Sequence, residues 1–173
     1  YTAVHVKVDG RWLMSTVRDS RVETPSAYHK LEDLEWMIGD WSAEERGVTS
    51  EARCRWIANK SYIQRDYSVV ESAGHVSHSG VQIIGWNADQ GRLQSWTFAS
   101  DGSHAIGVWT PVERGWTVES QGVLPDGTAT SARTRLTRLD DDAMAWKSEA
   151  RSAAGTALPD TDEIILKRAT TDR

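Results

Sequence analysis

The side chains that could support catalysis or metal binding are spread along this chain and do not form one motif. His75 and His78, in the stretch SAGHVSHSG, are three residues apart, a spacing that two metal ligands can use on a helix or a turn. Glycine and serine surround both histidines, which favours an exposed loop, and in an extended chain the two rings would face opposite sides. We therefore predict no metal site.

Cys54 is the only cysteine, so the chain forms neither an intrachain disulfide nor a cysteine-cluster zinc site. Beside His75 or His104 its thiol would be a candidate nucleophile. The alternation of Ala52, Cys54 and Trp56 instead predicts a small buried thiol on the core face of a strand.

The carboxylates do not form a convincing acid–base pair. Glu44 and Glu45 are adjacent, and adjacent residues of a strand face opposite ways, so both cannot line one pocket. The acidic run at 140–142 lacks the spacing of a calcium loop, and the sequence contains no phosphate-binding loop, serine-hydrolase elbow, zinc-protease motif or dinucleotide fingerprint. We predict no cofactor. The absence of these motifs favours a protein that is not an enzyme, but it does not decide between the two.

Four arginines lie in the interiors of predicted strands: Arg53, Arg65, Arg133 and Arg135. If some of these side chains face the interior with neighbouring tyrosine and glutamine, they would suit a small acidic or carboxylate-bearing ligand. The alternative is that they coat the outside of the sheet and pair with glutamates on neighbouring strands.

The nine tryptophans fall mostly one per predicted strand, which suits either core layers or the lining of a lumen. A lumen would hold a small, partly hydrophobic ligand. The candidate ligand-binding residues are Trp56, Tyr62, Gln64, Arg65, Gln94, Trp96, Trp109, Arg133, Arg135 and Trp146.

Two elements precede the main run of strands. Residues 1–20 alternate in polarity around Asp9-Gly10, which predicts a β-hairpin that is marginal alone and must dock on a partner. The spacing of apolar residues over 26–37 predicts a helix with Pro25 in its first turn and Thr24 as its cap, ended by Gly39.

Strand patterns occupy the rest of the chain, separated by short turns rich in glycine, asparagine and aspartate. The predicted strands are 40–47, 50–58, 61–71, 76–86, 92–99, 104–111, 115–123, 128–139, 143–152 and 162–168. Short turns join antiparallel neighbours, and closure removes unpaired edges, so we predict an antiparallel β-barrel of about ten strands with one N-terminal helix and an extra N-terminal hairpin.

Composition limits the possible partners. A net charge of −5 argues against nucleic-acid binding, and no apolar run is long enough for a membrane helix. We expect a soluble protein, either cytoplasmic or exported. Because a strand pattern begins at Tyr1, we also expect a longer polypeptide upstream.

The hairpin stretch VKVDGRWLMSTVRDS resembles the last two strands of SnoaL-like proteins, which have a cone-shaped fold. Residues from about Leu31 to Arg168 resemble uncharacterised bacterial lipocalin-like proteins of the calycin type, through LEDLEWMIGDW, GVQIIGWNADQGRLQSWTFASDG, AIGVW and EIILKR. These resemblances imply a hairpin and linker over 1–23, and a barrel domain with a lumen over 24–173.

The Gly-Asp-Trp opening at 39–41 is also similar to that of nitrobindin, a heme-binding family whose heme is held by a histidine late in the chain. Here the last histidine is His104, so the resemblance does not extend to the ligand and we predict no heme.

Three functions remain open at this point. The first is a noncatalytic binding module for a small molecule in the lumen. The second, implied by the SnoaL-like hairpin, is part of an enzyme for polyketide-like or steroid-like substrates, with Arg65, Asp66, Tyr62 and His104 as the groups to inspect. The third is a structural domain that forms homo-oligomers through the hairpin.

Overall fold

In a computed structural model, which describes residues 2–18, 25–71 and 74–169, the chain folds mainly into antiparallel β-strands. The strands are β1 Thr2–Val8, β2 Arg11–Arg18, β3 Gly39–Glu45, β4 Val48–Ile57, β5 Tyr62–Glu71, β6 Val76–Asn87, β7 Arg92–Ala99, β8 His104–Val112, β9 Gly115–Val123, β10 Ala129–Arg138, β11 Ala143–Ala153, β12 Thr156–Leu158 and β13 Ile164–Arg168. No helix among the described residues has the length and apolar character needed to cross a membrane.

The N-terminal hairpin forms around the predicted turn. Asp9 and Gly10 both have positive φ, 49° and 79°, as the favoured two-residue hairpin turn requires. β1 and β2 pair with each other in a sheet of their own. The large apolar side chains described on this ribbon are exposed, and Trp12 reaches 68%.

The predicted helix is shorter than its sequence pattern suggested. The α-helix α1 spans Tyr28–Leu31, and a 3₁₀ helix continues over Glu32–Met37. The tighter turn aligns residues three apart, which puts Leu31, Leu34 and Met37 on one face, each with 0% exposure. Ile38, the next residue along the chain, is only half-buried. The predicted cap Thr24 lies outside the described residues.

Ten strands close into the predicted barrel. From β3 to β11 each strand pairs antiparallel with the next along the chain; β13 then pairs with β11 and β3 and completes the cylinder. β12 was not predicted and adds to β11 over three residues. This pairing confirms the predicted fold class.

The helical segment 28–37 covers one end of the barrel, called here the closed end. Its buried face packs with inward side chains of the strands, among them Ile63, Ile84 and Trp116, and this packed group is called here the closed-end cluster. At the start of β3, Trp41 is 2% exposed and its Nε1 donates to the Met37 carbonyl at 2.8 Å. Thus the tryptophan that opens the barrel also holds the end of the 3₁₀ helix.

Arg168 of the last strand locks the closed end in place. Its guanidinium lies 4.3 Å from the Trp41 ring centre and donates to the Ile38 carbonyl at 2.7 Å and the Trp36 carbonyl at 3.1 Å. Gly39 has φ +134°, and a Cβ at this position would collide with the Arg168 side chain. The glycine is therefore required both by its backbone conformation and by the close approach of this arginine.

Candidate functional site

A cavity of about 310 Å³ occupies the barrel between the closed end and the opposite end, called here the far end. Strand β5 shows its position, because the inward side chains change along the strand. Ile63 is fully buried in the closed-end cluster, whereas Arg65, Tyr67 and Val69 line the cavity and are half-buried. Exposed His78 on β6 lines the cavity at the far end.

The floor and one side of the cavity are apolar. Trp109, Val118 and Leu136 line it and also belong to the closed-end cluster, so the floor of the cavity is the top of the packed core. Trp146 and Leu166 continue this wall. Such a surface suits an aliphatic or aromatic group.

The opposite side, on β5 to β7, is polar. Gln82 pairs with Arg65 on one neighbouring strand and with Thr97 on the other. Its Nε2 donates to Thr97 Oγ1 at 3.1 Å and to Ser95 Oγ at 3.4 Å. The Arg65 guanidinium carbon lies 5.2 Å from the Tyr67 ring centre, a cation–π contact.

Two glycines keep this space open. A Cβ at Gly80 would lie 2.5 Å from the Tyr67 hydroxyl oxygen, so the missing side chain lets the phenol lie against β6. A Cβ at Gly107 would lie 2.7 Å from Ser95 Oγ and 2.8 Å from a Val118 methyl. Small inward residues on β6 to β9 therefore leave the interior open at the cavity, whereas large side chains fill it at the closed end.

Burial affects two inward groups near Arg65. Burial raises the pKa of the Cys54 thiol to about 11, so the thiol stays protonated at neutral pH, as the prediction of a buried core cysteine implies. Burial also raises the pKa of Tyr67, an effect that Arg65 partly opposes. Tyr67 is therefore a hydroxyl donor at neutral pH.

Trp109 contains an unsatisfied polar atom. Its Nε1 is buried and has no hydrogen-bond partner among the described residues. The ring meets Trp116 edge to face, with centroids 6.1 Å apart, a contact that contributes to the cavity floor.

The structure brings three of the ten candidate ligand-binding residues into the cavity wall: Arg65, Trp109 and Trp146. Trp56 packs against the closed-end cluster, and its ring meets Tyr28 edge to face at 5.4 Å. The other six are absent from the described cavity lining: Tyr62, Gln64, Gln94, Trp96, Arg133 and Arg135.

The register of the strands explains these positions. Gln64 precedes inward Arg65 and so lies on the opposite face, where it donates to Asp66. On β10, Arg133 pairs with Glu119 and Arg135 with Glu149, the outside arrangement named above as the alternative. The structure therefore places Arg65 in the cavity wall and these two arginines on the outer face.

Sequence reasoning missed several lining residues, among them Tyr67, Gln82, Thr97 and Ser120. Tyr67 could have been predicted from the sequence, because it lies two residues after Arg65 in the same strand and must share its face. The serine and threonine positions carry no signal of their own, since the same residue types are common on outer faces.

The enzyme candidates are not gathered in one place. Arg65 faces inward, whereas Asp66 accepts a hydrogen bond from Arg55 on the outer face at 2.5 Å. Tyr62 is 37% exposed beside Gly85, and His104 is exposed at the start of β8. Within the described part of the chain, no group of three or more histidine, cysteine, aspartate or glutamate residues is placed to hold a metal ion.

Fold and site together define a closed, ten-stranded antiparallel barrel with a small internal cavity of mixed polarity. The fold is similar to the crystal structure of Rv2717c from M. tuberculosis, with a TM-score of 0.56 and 16% sequence identity, over 82% of this chain and 98% of that chain. At this identity the likeness concerns the fold alone. No protein-family model and no curated protein sequence matches the chain.

Proposed function

We propose that this protein is a noncatalytic, lipocalin-like binding module that holds a small, partly hydrophobic ligand inside the barrel. The observation that carries the proposal is the cavity, which has an apolar floor, a polar wall and a volume of about 310 Å³. Small-molecule sites occupy roughly 300–1,000 Å³, so this cavity suits a ligand at the small end of that range.

The inward groups support binding better than catalysis. A catalytic base must be unprotonated near neutral pH. Burial raises the pKa of both Cys54 and Tyr67, so these two groups keep their protons there. Arg65 is a permanent cation that donates hydrogen bonds and does not accept protons. His78 meets the Tyr67 ring with centroids 5.5 Å apart, an aromatic contact at the far end of the cavity.

The test uses 4-phenylbutanamide, a neutral probe with an apolar ring and a polar end. Titration into the full chain should change tryptophan emission in a saturable way, because Trp109 and Trp146 line the cavity. Calorimetry should give one site per chain.

The matched variants are Ala105→Leu, which adds three carbons inside the cavity, and Ala129→Leu, which makes the same change at an exposed position. We expect the first to weaken binding at least about tenfold, since it occupies ligand space, and the second to leave binding unchanged. Equal effects of the two variants would remove the proposal, as would absence of saturable binding for both this probe and its anionic analogue, 4-phenylbutyrate.

A second candidate function is association through the hairpin. Trp12, Leu13 and Met14 are 68%, 51% and 61% exposed on a two-stranded ribbon, a structure that is marginal in water without a partner. We propose a second copy of the chain as that partner.

Light scattering should show a dimer for the full chain and a monomer for the double variant Trp12→Ser, Met14→Ser. Ile165→Ser, which changes a barrel residue that is 49% exposed, is the control and should leave the mass unchanged. A monomeric wild-type chain would exclude this candidate.

A further inference from the structure

Arg65 differs from the other half-buried arginines that the structure describes, Arg151 and Arg168. Arg151 donates to the Pro159 carbonyl at 2.9 Å, and Arg168 donates to backbone carbonyls and lies 3.3 Å from an Asp142 carboxylate oxygen. Arg65 has no ion-pair or hydrogen-bond partner within the described residues; its one contact of this kind is with the Tyr67 ring.

The Arg65 guanidinium therefore has N–H donors that no described residue accepts from. A guanidinium carries five N–H donors, and a ring face satisfies none of them by a conventional hydrogen bond. A half-buried cation without a counter-charge is less well solvated than one in bulk water, and an anion in the cavity would pair with it.

The acidic residue in the cavity lining, Glu51, does not supply the missing charge. Glu51 borders the cavity, but it alternates with Ser50 and Ala52, and Ala52 is a buried inward residue. Its carboxylate accepts from Ser68 Oγ at 3.4 Å, on the face of the sheet opposite to Arg65 and Tyr67.

Neighbouring groups extend the donor surface around Arg65. Tyr67 keeps its hydroxyl proton because burial raises its pKa, and that hydroxyl has no hydrogen-bond acceptor within the described residues. Gln82 donates its amide N–H groups to Thr97 and Ser95 within the cavity wall, so these donors are not available to an anion. The apolar floor of Trp109 and Val118 lies within the same cavity.

We propose that Arg65 is the anchor for the carboxylate of a small amphipathic acid whose apolar body lies against the tryptophan-lined floor. This inference rests on the proposed binding function and names its ligand class. A carboxylate matches the planar guanidinium in a bidentate pair. A single permanent cation suits a monoanion, since a dianionic phosphate would call for a second permanent cation, and the described lining contains no lysine or other arginine.

Two isosteric probes test the anchor: 4-phenylbutyrate, which is anionic, and 4-phenylbutanamide, which is neutral. The wild-type chain should bind the carboxylate at least about tenfold tighter, the difference expected when a charge-assisted hydrogen bond is added. Equal binding of the two probes would overturn the anchor while leaving the binding function intact, and this comparison needs no variant.

Variants locate the preference. In Arg65→Met the two probes should bind equally, and in Arg65→Lys part of the carboxylate preference should return, because the charge remains without the bidentate geometry. Arg135→Met removes an outward arginine paired with Glu149 and should keep the wild-type preference. A carboxylate preference that survives in Arg65→Met would assign the anchor elsewhere, and failure of both probes to bind the wild-type chain would remove the binding function as well.

Discussion

At the closed end of the barrel, Leu31, Leu34 and Met37 have 0% exposure and pack against large apolar side chains. Toward the far end the inward residues include polar, half-buried side chains such as Arg65 and Gln82. The change occurs within single strands. Along the inward face of β6, buried Ile84 is followed toward the far end by Gln82 and then by Gly80. One cylinder therefore combines a packed core, which supplies stability, with a space that the core does not fill.

The first way to sharpen this comparison is to delete similar apolar groups from each end. Leu34→Ala removes a fully buried side chain and should lower the free energy of unfolding by about 2–5 kcal/mol, through lost burial and a new cavity. Val69→Ala, on the half-buried cavity wall, should cost less than about 1.5 kcal/mol. Urea denaturation measures both, and similar losses would mean that the far end is as tightly packed as the closed end.

A pH experiment tests burial at the closed end through Cys54, which is 2% exposed. The pKa of this thiol is raised from 9.0 to about 11 in the folded chain, so above pH 9 the unfolded chain releases its proton first. The contribution to stability is fully present below pH 9 and is lost as the pH rises to about 11, at about 1.4 kcal/mol per pH unit and about 3 kcal/mol in all.

Cys54→Ala is the control, because other groups also titrate in this range. The free energy of unfolding of the wild-type chain should fall more steeply between pH 9 and pH 11 than that of the variant. Parallel curves for the two chains would contradict a buried thiol.

The smallest expected effects distinguish the arginine that locks the closed end from one on the outer face. Arg168→Met leaves the carbonyls of Ile38 and Trp36 without their donor and should cost about 2 kcal/mol. Arg135→Met removes an ion pair whose arginine side chain is 54% exposed and should cost less than about 1 kcal/mol. If the two changes cost the same in thermal unfolding, the lock has no structural role.

The fold was predictable because its turns are explicit. Strands β7 and β9 match their predicted ranges, and the other predicted barrel strands end within two residues of theirs. β12 was missed because three residues between Gly155 and Pro159 carry too short an alternation to read as a strand.

The side of each strand that faces inward was harder to predict. On β7 and β8 the outer face carries Phe98 and Ile106, which are 56% and 49% exposed, while Ser95 and Gly107 face inward. The usual rule that apolar residues point inward fails where a barrel keeps a cavity. Arg65 was therefore named together with its neighbour Gln64, although adjacent strand residues cannot share a face.

Indole N–H signals in NMR spectra test the central claim most directly, namely that a ligand enters the barrel between the packed closed end and the far end. Trp109 and Trp146 line the cavity, whereas the Trp41 Nε1 is hydrogen-bonded to Met37 at the closed end. On addition of 4-phenylbutyrate, with signals assigned by single Trp→Phe changes, the first two resonances should shift in a saturable way and that of Trp41 should stay in place. Saturable shifts confined to Trp96, or no shift at Trp109 and Trp146, would contradict the account.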